Sequence, residues 1–241
     1  MVIDYRNVSI FQEDVEILKN VSLQVNDGEF AYIIGKVGSG KSSLIKTMYG
    51  ELDIYTSEKA EVLGKDMATL RRKEIPALRR ETGIIFQDFQ LLHDKTVYQN
   101  LRFVLEATGW KDKTKIDERI ENVLADVGMT EMKNKKPHEL SGGEQQRIAI
   151  ARAILNNPKM ILADEPTGNL DPETALHIVG LLKSISERGT TVLITTHNIH
   201  LIDKFPGTVY RCDNGELKNV THEYKKVATL EKYKSWDGNN H

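Results

Sequence analysis

The sequence predicts an α/β fold with a mostly parallel central sheet. Short, continuous apolar runs recur at residues 30–34, 83–86, 160–163 and 191–195. Runs of this kind are typical of strands that a parallel sheet buries on both faces. Helical patterns lie between the runs, and such an alternation of strands and helices favours parallel pairing. The length of 241 residues suits one large domain.

The start of the chain has a different pattern. The first thirty residues predict short strands joined by turns, because residues 21–25 alternate apolar and polar side chains and Asp27-Gly28 is typical of a tight turn. The apolar run at residues 30–34 follows. It continues through a glycine-rich loop into a predicted helix at residues 41–49.

Residues 94–140 predict a small helical insertion between two α/β halves. Apolar side chains repeat there at the spacing of a helix that buries one face. They are Val97, Leu101, Val104 and Leu105, and then Ile116, Ile120, Val123, Leu124 and Val127.

The last part of the chain contains clear helix and turn signals. One helix is expected to begin near Gly142. Residues 171–173, Asp-Pro-Glu, predict another helix start, because a capping acceptor, a proline and an acid all favour the first turn. Its apolar stripe continues until Gly189. Residues 213–215, Asp-Asn-Gly, predict a hairpin, and a polar tail follows.

The composition excludes several classes of protein. Lys and Arg total 33 and Asp and Glu total 35, for a net charge of −2, which argues against a nonspecific grip on nucleic acid. The single cysteine, Cys212, permits no internal disulfide and no multi-cysteine zinc site. No apolar run approaches the ~18 residues of a membrane span, and we see no signal peptide. We therefore expect a soluble chain that reaches a membrane only through a partner.

The glycine-rich loop is the clearest functional motif. Gly35-Lys36-Val37-Gly38-Ser39-Gly40-Lys41-Ser42 matches G-x-x-x-x-G-K-[ST] between a strand and a helix. Glycines let the backbone N–H groups converge on phosphate oxygens, and the helix start adds partial positive charge. Lys41 is expected to reach the β- and γ-phosphates, and the Ser42 hydroxyl to ligate Mg²⁺. The motif predicts binding of a nucleotide with Mg²⁺.

Two carboxylates follow the predicted strand at residues 160–163. Side chains alternate along a strand, so Asp164 and Glu165 can perform different tasks. We expect Asp164 to hold Mg²⁺ opposite Ser42, and Glu165 to polarise the attacking water. Alone, an acidic strand end is common on surfaces. After a phosphate loop, it predicts hydrolysis of the nucleotide.

A second glycine motif occurs at Ser141-Gly142-Gly143-Glu144. Ser141 and Glu144 fit a capping box, which would explain the motif as a plain helix start. Two consecutive glycines, however, cost helix stability. Because they leave backbone N–H groups bare at a helix N-terminus, they predict a second site for an anion.

These motifs together resemble the ATP-binding cassette (ABC) ATPases over nearly the whole chain. The resemblance is carried by the phosphate loop, Gln87 after Phe86, the run Leu140 to Glu144, Asp164-Glu165, Asn169-Leu170-Asp171 and His197, in that order. It implies a P-loop NTPase core with a mostly parallel sheet, an N-terminal antiparallel β subdomain and an α-helical subdomain inserted at about residues 88–145. The nucleotide-binding domain would span residues 1–222, before a polar tail at residues 223–241.

The resemblance also implies roles for individual residues in an ATP-sandwiched homodimer. Ser141, Gly142 and Gly143 of one copy would contact ATP held by residues 35–43 of the other, Ser43 included, and Asp171 would couple the two sites. Lys41, Gln87, Glu165 and His197 would be catalytic, and Ser42, Gln87 and Asp164 would hold Mg²⁺. Phe11 would stack on adenine, although it could also simply pack within the fold.

Within the family the chain resembles the cell-division members. Residues 78–80, 85–92 and 95–101 carry this likeness. It implies an integral membrane partner that controls cell-wall hydrolases, and a place on the inner face of the cell membrane. Two alternatives stay open: the ATPase of a lipoprotein-releasing or macrolide-type export system, and a soluble assembly ATPase without a membrane partner.

Overall fold

A computed structural model of the chain describes residues 1–224. All but the first two residues of the predicted tail, 223–241, lie outside the described residues. The strands are β1 (Ile3–Gln12), β2 (Val15–Val25), β3 (Phe30–Ile34), β4 (Lys59–Val62), β5 (Lys65–Asp66), β6 (Thr82–Ile85), β7 (Met160–Asp164), β8 (Thr191–Thr196), β9 (Thr208–Asp213) and β10 (Glu216–Asn219). The α-helices are α1 (Lys41–Met48), α2 (Ile75–Arg80), α3 (Val97–Ala107), α4 (Lys113–Asp126), α5 (Gly142–Ile154), α6 (Pro172–Glu187) and α7 (His200–Lys204).

A six-stranded sheet with the order β10-β9-β3-β8-β7-β6 forms the centre of the molecule. All pairs from β9 to β6 are parallel, and only β10 is antiparallel to its neighbour. Both faces of β3 are buried: Tyr32 and Ile34 pack into one apolar cluster, while Ala31 and Ile33 pack into another. The predicted mostly parallel, doubly covered sheet is confirmed.

A second sheet is antiparallel and has the order β2-β1-β4-β5. Alternate side chains of β2, namely Val21, Leu23 and Val25, are buried against the cluster that also contains α1. The predicted turn at Asp27-Gly28 is present, since Gly28 has a φ of 67°. It leads from β2 in this sheet to β3 in the central sheet, and buried side chains of both strands belong to the same apolar cluster.

The predicted helical region is formed by α3 and α4, which pack with α5 on the other side of the central sheet. Eight of the nine apolar side chains of the two stripes are buried, and Val104 is half-buried. Thr96 starts α3 with a capping box, because its hydroxyl accepts from Gln99 N at 3.2 Å and Thr96 N donates to Gln99 Oε1 at 2.9 Å. The boundaries of the inserted subdomain and of the domain itself stay predictions.

Two local predictions from the last part of the chain are also confirmed. Asp171 caps α6 by accepting a hydrogen bond from Thr174 N at 3.0 Å. The hairpin between β9 and β10 turns at Asn214 and Gly215, whose φ angles are 50° and 77°. Positive φ at both central residues is what a two-residue type I′ hairpin requires.

Candidate active site

The candidate site lies at the carboxyl edge of three neighbouring parallel strands. β8 pairs with β3 on one side and with β7 on the other, where Thr195 lies opposite Asp164. The segments that follow these strands carry residues 35–42, Glu165 and His197. Groups that are distant in sequence therefore meet at the edge where open α/β sheets bind ligands.

The phosphate loop folds back tightly on the start of α1. Gly40, just before the helix, has a φ of 97°, and a Cβ atom on Gly35 would lie 2.3 Å from the carbonyl oxygen of Cys212. Lys41 is only 5% exposed, and its ammonium donates to the carbonyls of Gly35 and Lys36, both at 2.9 Å. Residues 35–43 thus form the predicted loop and first helical turn, an arrangement that suits an anion. Their contacts with ATP stay a prediction.

Glu165 connects two other predicted catalytic residues. Its Oε1 lies 3.2 Å from Lys41 Nζ, and its Oε2 lies 2.9 Å from His197 Nδ1. The Glu165 side chain is 12% exposed and that of Lys41 5%, so their contact is largely sheltered from water, whereas the His197 side chain is 52% exposed. Its backbone is left-handed, with a φ of 47°. Such a conformation costs a non-glycine residue about 1–3 kcal/mol, so the surroundings must hold it.

Asp164 and Ser42 form an oxygen-rich pair beside Glu165. Ser42 Oγ donates to Asp164 Oδ1 at 3.0 Å, and Thr195 Oγ1 donates to the same oxygen at 2.6 Å. Carboxylate and hydroxyl oxygens are the hard ligands that Mg²⁺ prefers, so the donor chemistry fits this ion. The third predicted ligand, Gln87, forms no hydrogen bond to Ser42 or Asp164 in the described part of the chain.

Gln87 is held by the loop that precedes α6. Its Nε2 donates to Asn169 Oδ1 at 3.4 Å, and Asn169 Nδ2 donates to the Gln87 carbonyl at 3.2 Å. Arg152 of α5 holds the segment after Gln87 by donating to the Phe89 carbonyl at 2.8 Å. The segment that contains Gln87 is therefore tied both to α5 and to the loop that precedes α6.

Ser141 caps α5 with the predicted capping box. Ser141 N and Oγ both donate to Glu144 Oε2 at 2.8 Å, and these bonds hold the pKa of Glu144 below its usual range. Close packing also favours glycine at position 143, because a Cβ atom there would lie 2.5 Å from Thr174 Cγ2 at the start of α6. Asp171 uses its carboxylate as the cap of α6, and hydrogen bonds from the side chain and the backbone N–H of Thr174 lower the pKa of Asp171. Contact of these groups with a partner's ATP stays a prediction.

Phe11 is half-buried near the end of β1. Its ring meets the Tyr55 ring edge to face, with centroids 6.4 Å apart and planes at 81°. Tyr55 is 72% exposed and supplies a second aromatic surface beside Phe11. Stacking of Phe11 on adenine stays a prediction.

Two buried side chains that contact the acidic segment were missed by the sequence analysis. Thr195 Oγ1 accepts from Glu165 N at 2.9 Å, and Gln146 Nε2 donates to the Pro166 carbonyl at 2.7 Å. The only signal for Thr195 is a hydroxyl directly after the apolar residues 192–194 of a buried strand. Gln146 gave no signal, because the sequence does not distinguish it from the neighbouring Gln145.

The family model described as ABC transporter matches residues 18–168. The matched part contains the phosphate loop, the helix that begins at Ser141, and Asp164-Glu165. The chain belongs to the ABC transporter family. It is therefore an ATPase, which binds ATP and hydrolyses it to ADP and phosphate.

This ABC ATPase is similar to cell-division and import proteins. It is 43% identical to the cell division ATP-binding protein FtsE of Streptococcus pneumoniae, over 90% of this chain and 94% of that protein. It is 44% identical to FtsE of Mycobacterium tuberculosis, over 89% of this chain and 92% of that protein. For the methionine import ATP-binding protein MetN of Clostridioides difficile the identity is 40%, over 91% of this chain and 68% of that protein.

Solved structures of ABC ATPases share the fold. CbiO1 of Clostridium perfringens, part of the cbiONQ transporter complex, superposes with a TM-score of 0.86 at 28% identity, over 96% of this chain and 93% of that one. The cassette MJ0796 was solved as a dimer in a post-hydrolysis state with ADP and phosphate. It superposes with a TM-score of 0.79 at 32% identity, over 90% of this chain and 98% of that one. No helix within residues 1–224 has the length and apolar character to cross a membrane.

Proposed function

We propose that this ABC ATPase is the ATP-hydrolysing subunit of a cell-division complex. The similarity to FtsE carries the proposal, because it extends over 94% of the S. pneumoniae protein, whereas the similarity to C. difficile MetN extends over 68% of that protein. Two copies close over ATP and pass a conformational signal to an FtsX-like integral membrane protein, which controls cell-wall hydrolysis. The chain acts at the inner face of the cell membrane and pumps no substrate.

In this proposal each ATP lies between two copies of the chain. The phosphate loop of one copy and the Ser141-Gly142-Gly143 segment of the other grip the triphosphate from opposite sides. The dimeric, ADP- and phosphate-bound state of the similar cassette MJ0796 supports this arrangement. Asp171, which caps α6 next to the same helix start, couples the two sites.

The hydrolytic step uses the residues that meet at the strand ends. The Lys41 ammonium pairs with the phosphates, which therefore compete with Glu165 for this ammonium. Glu165 then polarises the attacking water, and His197 orients Glu165 and the γ-phosphate. Ser42, Asp164 and Gln87 would hold Mg²⁺, which neutralises charge on the phosphate oxygens.

A second candidate function is the import of a small molecule. It is favoured by the 40% identity to MetN, which covers 91% of this chain. The ATP chemistry is the same in both proposals. The two proposals differ in the membrane partner, and the export alternative would have yet another membrane partner.

The partner can be identified by affinity purification from the membranes of the organism's own cells. Glu165→Gln, tagged and held with ATP, is the bait, because slow hydrolysis favours a closed complex. Lys41→Ala is the matched control for ATP dependence. The proposal expects an FtsX-like protein with an extracellular domain. Recovery of an import or export permease contradicts it, and recovery of no membrane protein favours a soluble assembly ATPase.

A further inference from the structure

We infer that Gln146 is a positioning residue that ties the helix beginning at Ser141 to the backbone that holds Glu165. The inference rests on the proposed function in one respect, since it takes Glu165 as the group that polarises water. It concerns a side chain buried within one chain, and it assigns the link between that chain's two ATP-facing segments.

The first step is the unusual backbone of Glu165. Its φ of 47° is left-handed and needs support from its surroundings. Buried side chains supply that support on both sides: Thr195 Oγ1 accepts from Glu165 N at 2.9 Å, and Gln146 Nε2 donates to the next carbonyl, that of Pro166, at 2.7 Å. Gln146 therefore holds the C-terminal side of the catalytic segment.

The second step is the chemistry of Gln146 itself. The residue is completely buried, and its Oε1 has no hydrogen-bond partner among the described residues. An unpaired buried acceptor costs about 1–3 kcal/mol, and an apolar side chain of the same size removes this cost while it leaves the Pro166 carbonyl without its donor, so the two effects on stability oppose each other. What only the amide provides is the hydrogen bond to the Pro166 carbonyl.

The third step is the place of Gln146 in the fold. It lies on α5 about one turn after Gly143, in the helix whose start faces the partner's ATP in the proposed dimer. Pro166 directly follows Glu165 of the same chain's own site. A displacement at the start of α5 therefore reaches Glu165 through one hydrogen bond.

The test uses Gln146→Met, which conserves volume and removes the amide. Ile148→Met is the matched control, since Ile148 is also completely buried on α5 and has no polar group. Gln146→Met is expected to keep its Tm and its KM for ATP and to lose at least ~10-fold in kcat, because small misplacement of a catalytic group has large effects. Ile148→Met keeps kcat. An unchanged kcat in Gln146→Met overturns the inference.

A double-mutant cycle separates positioning of Glu165 from a general structural effect. If Gln146 acts through Glu165, Gln146→Met causes no further loss of turnover in the Glu165→Gln background. If Gln146→Met lowers kcat by the same factor in the unaltered protein and in Glu165→Gln, the inference is overturned. Glu165→Gln alone tests the proposed role of Glu165, because full activity of that single variant refutes the role regardless of Gln146. If Gln146→Met does not fold, Gln146→Leu replaces it, and failure of both variants to fold assigns Gln146 to the core and overturns the inference.

Discussion

At the scale of single residues, both carboxylate oxygens of Glu165 have a partner within the chain. Lys41 lies 3.2 Å from one oxygen and His197 lies 2.9 Å from the other. In the proposed mechanism, a bound triphosphate attracts the Lys41 ammonium and so frees one oxygen of Glu165 for a water molecule. The same movement that secures the phosphates would then prepare the residue that we propose as the activator of water.

Glu165→Gln is expected to keep ATP binding and to lower kcat by at least ~10²-fold, as the loss of one preorganised catalytic group does. The amide retains the size of the side chain but cannot accept a proton. Steady-state phosphate release and binding of a fluorescent ATP analogue check the two parts separately. Glu187→Gln, an exposed substitution at the end of α6, is the control. Turnover near that of the control would show that Glu165 is not the activating group.

The sequence predicted most of the residues that meet at this edge of the sheet but not their mutual contacts. Lys41, Asp164 and Glu165 were predictable because motif spacing and strand ends define them. The pairing of Lys41 with Glu165 was not, since it depends on side-chain directions that a motif does not specify. Thr195 and Gln146 act from the interiors of a strand and a helix, where composition gives no functional signal.

At the scale of elements, periodicity predicted the parts of the fold with a strong apolar pattern. The buried strands of the central sheet and the stripes of α3 and α4 were placed within a few residues. β4 (Lys59–Val62) and β5 (Lys65–Asp66) were not predicted, because they are short and are defined only by pairing within the antiparallel sheet. The second role of Gly143, close packing against Thr174, likewise depends on how two helices meet.

Asp4 joins the strands of the antiparallel sheet. Its carboxylate is 6% exposed and accepts from Lys59 at 2.7 Å, Gln24 at 3.1 Å and Arg6 at 3.0 Å. Lys59, Gln24 and Arg6 hold the pKa of Asp4 well below its usual range. Because the folded pKa lies below the unfolded value of about 3.9, ionised Asp4 stabilises the fold above about pH 4, and this contribution is lost as the pH falls further.

Asp4→Asn is therefore expected to lower Tm at pH 7 by about 2–4 °C, the shift that ~1 kcal/mol produces in a domain of this size. Thermal unfolding followed by circular dichroism at several pH values measures the difference from the unaltered protein, which should shrink below about pH 4. Asp14→Asn, at an exposed aspartate of the β1–β2 turn, is the control. A Tm difference that is constant from pH 7 to the lowest pH would contradict this role of Asp4.

At the scale of the whole molecule, one chain carries two helix starts suited to phosphate. The loop before α1 is completed within the chain by Lys41, Asp164 and Glu165. The start of α5 is joined instead to α6 and, through Gln146, to the segment after Glu165. The proposed dimer gives each helix start a triphosphate, and it makes the activity of one site depend on the closure of the other.

Analytical ultracentrifugation of Glu165→Gln tests this arrangement most directly. With saturating ATP and Mg²⁺ the variant should sediment with the mass of two chains, and without ATP with the mass of one. Adding Ser141→Arg should keep ATP binding but restore the single-chain mass, because the bulky side chain blocks the partner's phosphates. A single-chain mass at saturating ATP, or a dimer that persists with Ser141→Arg, would contradict the shared site.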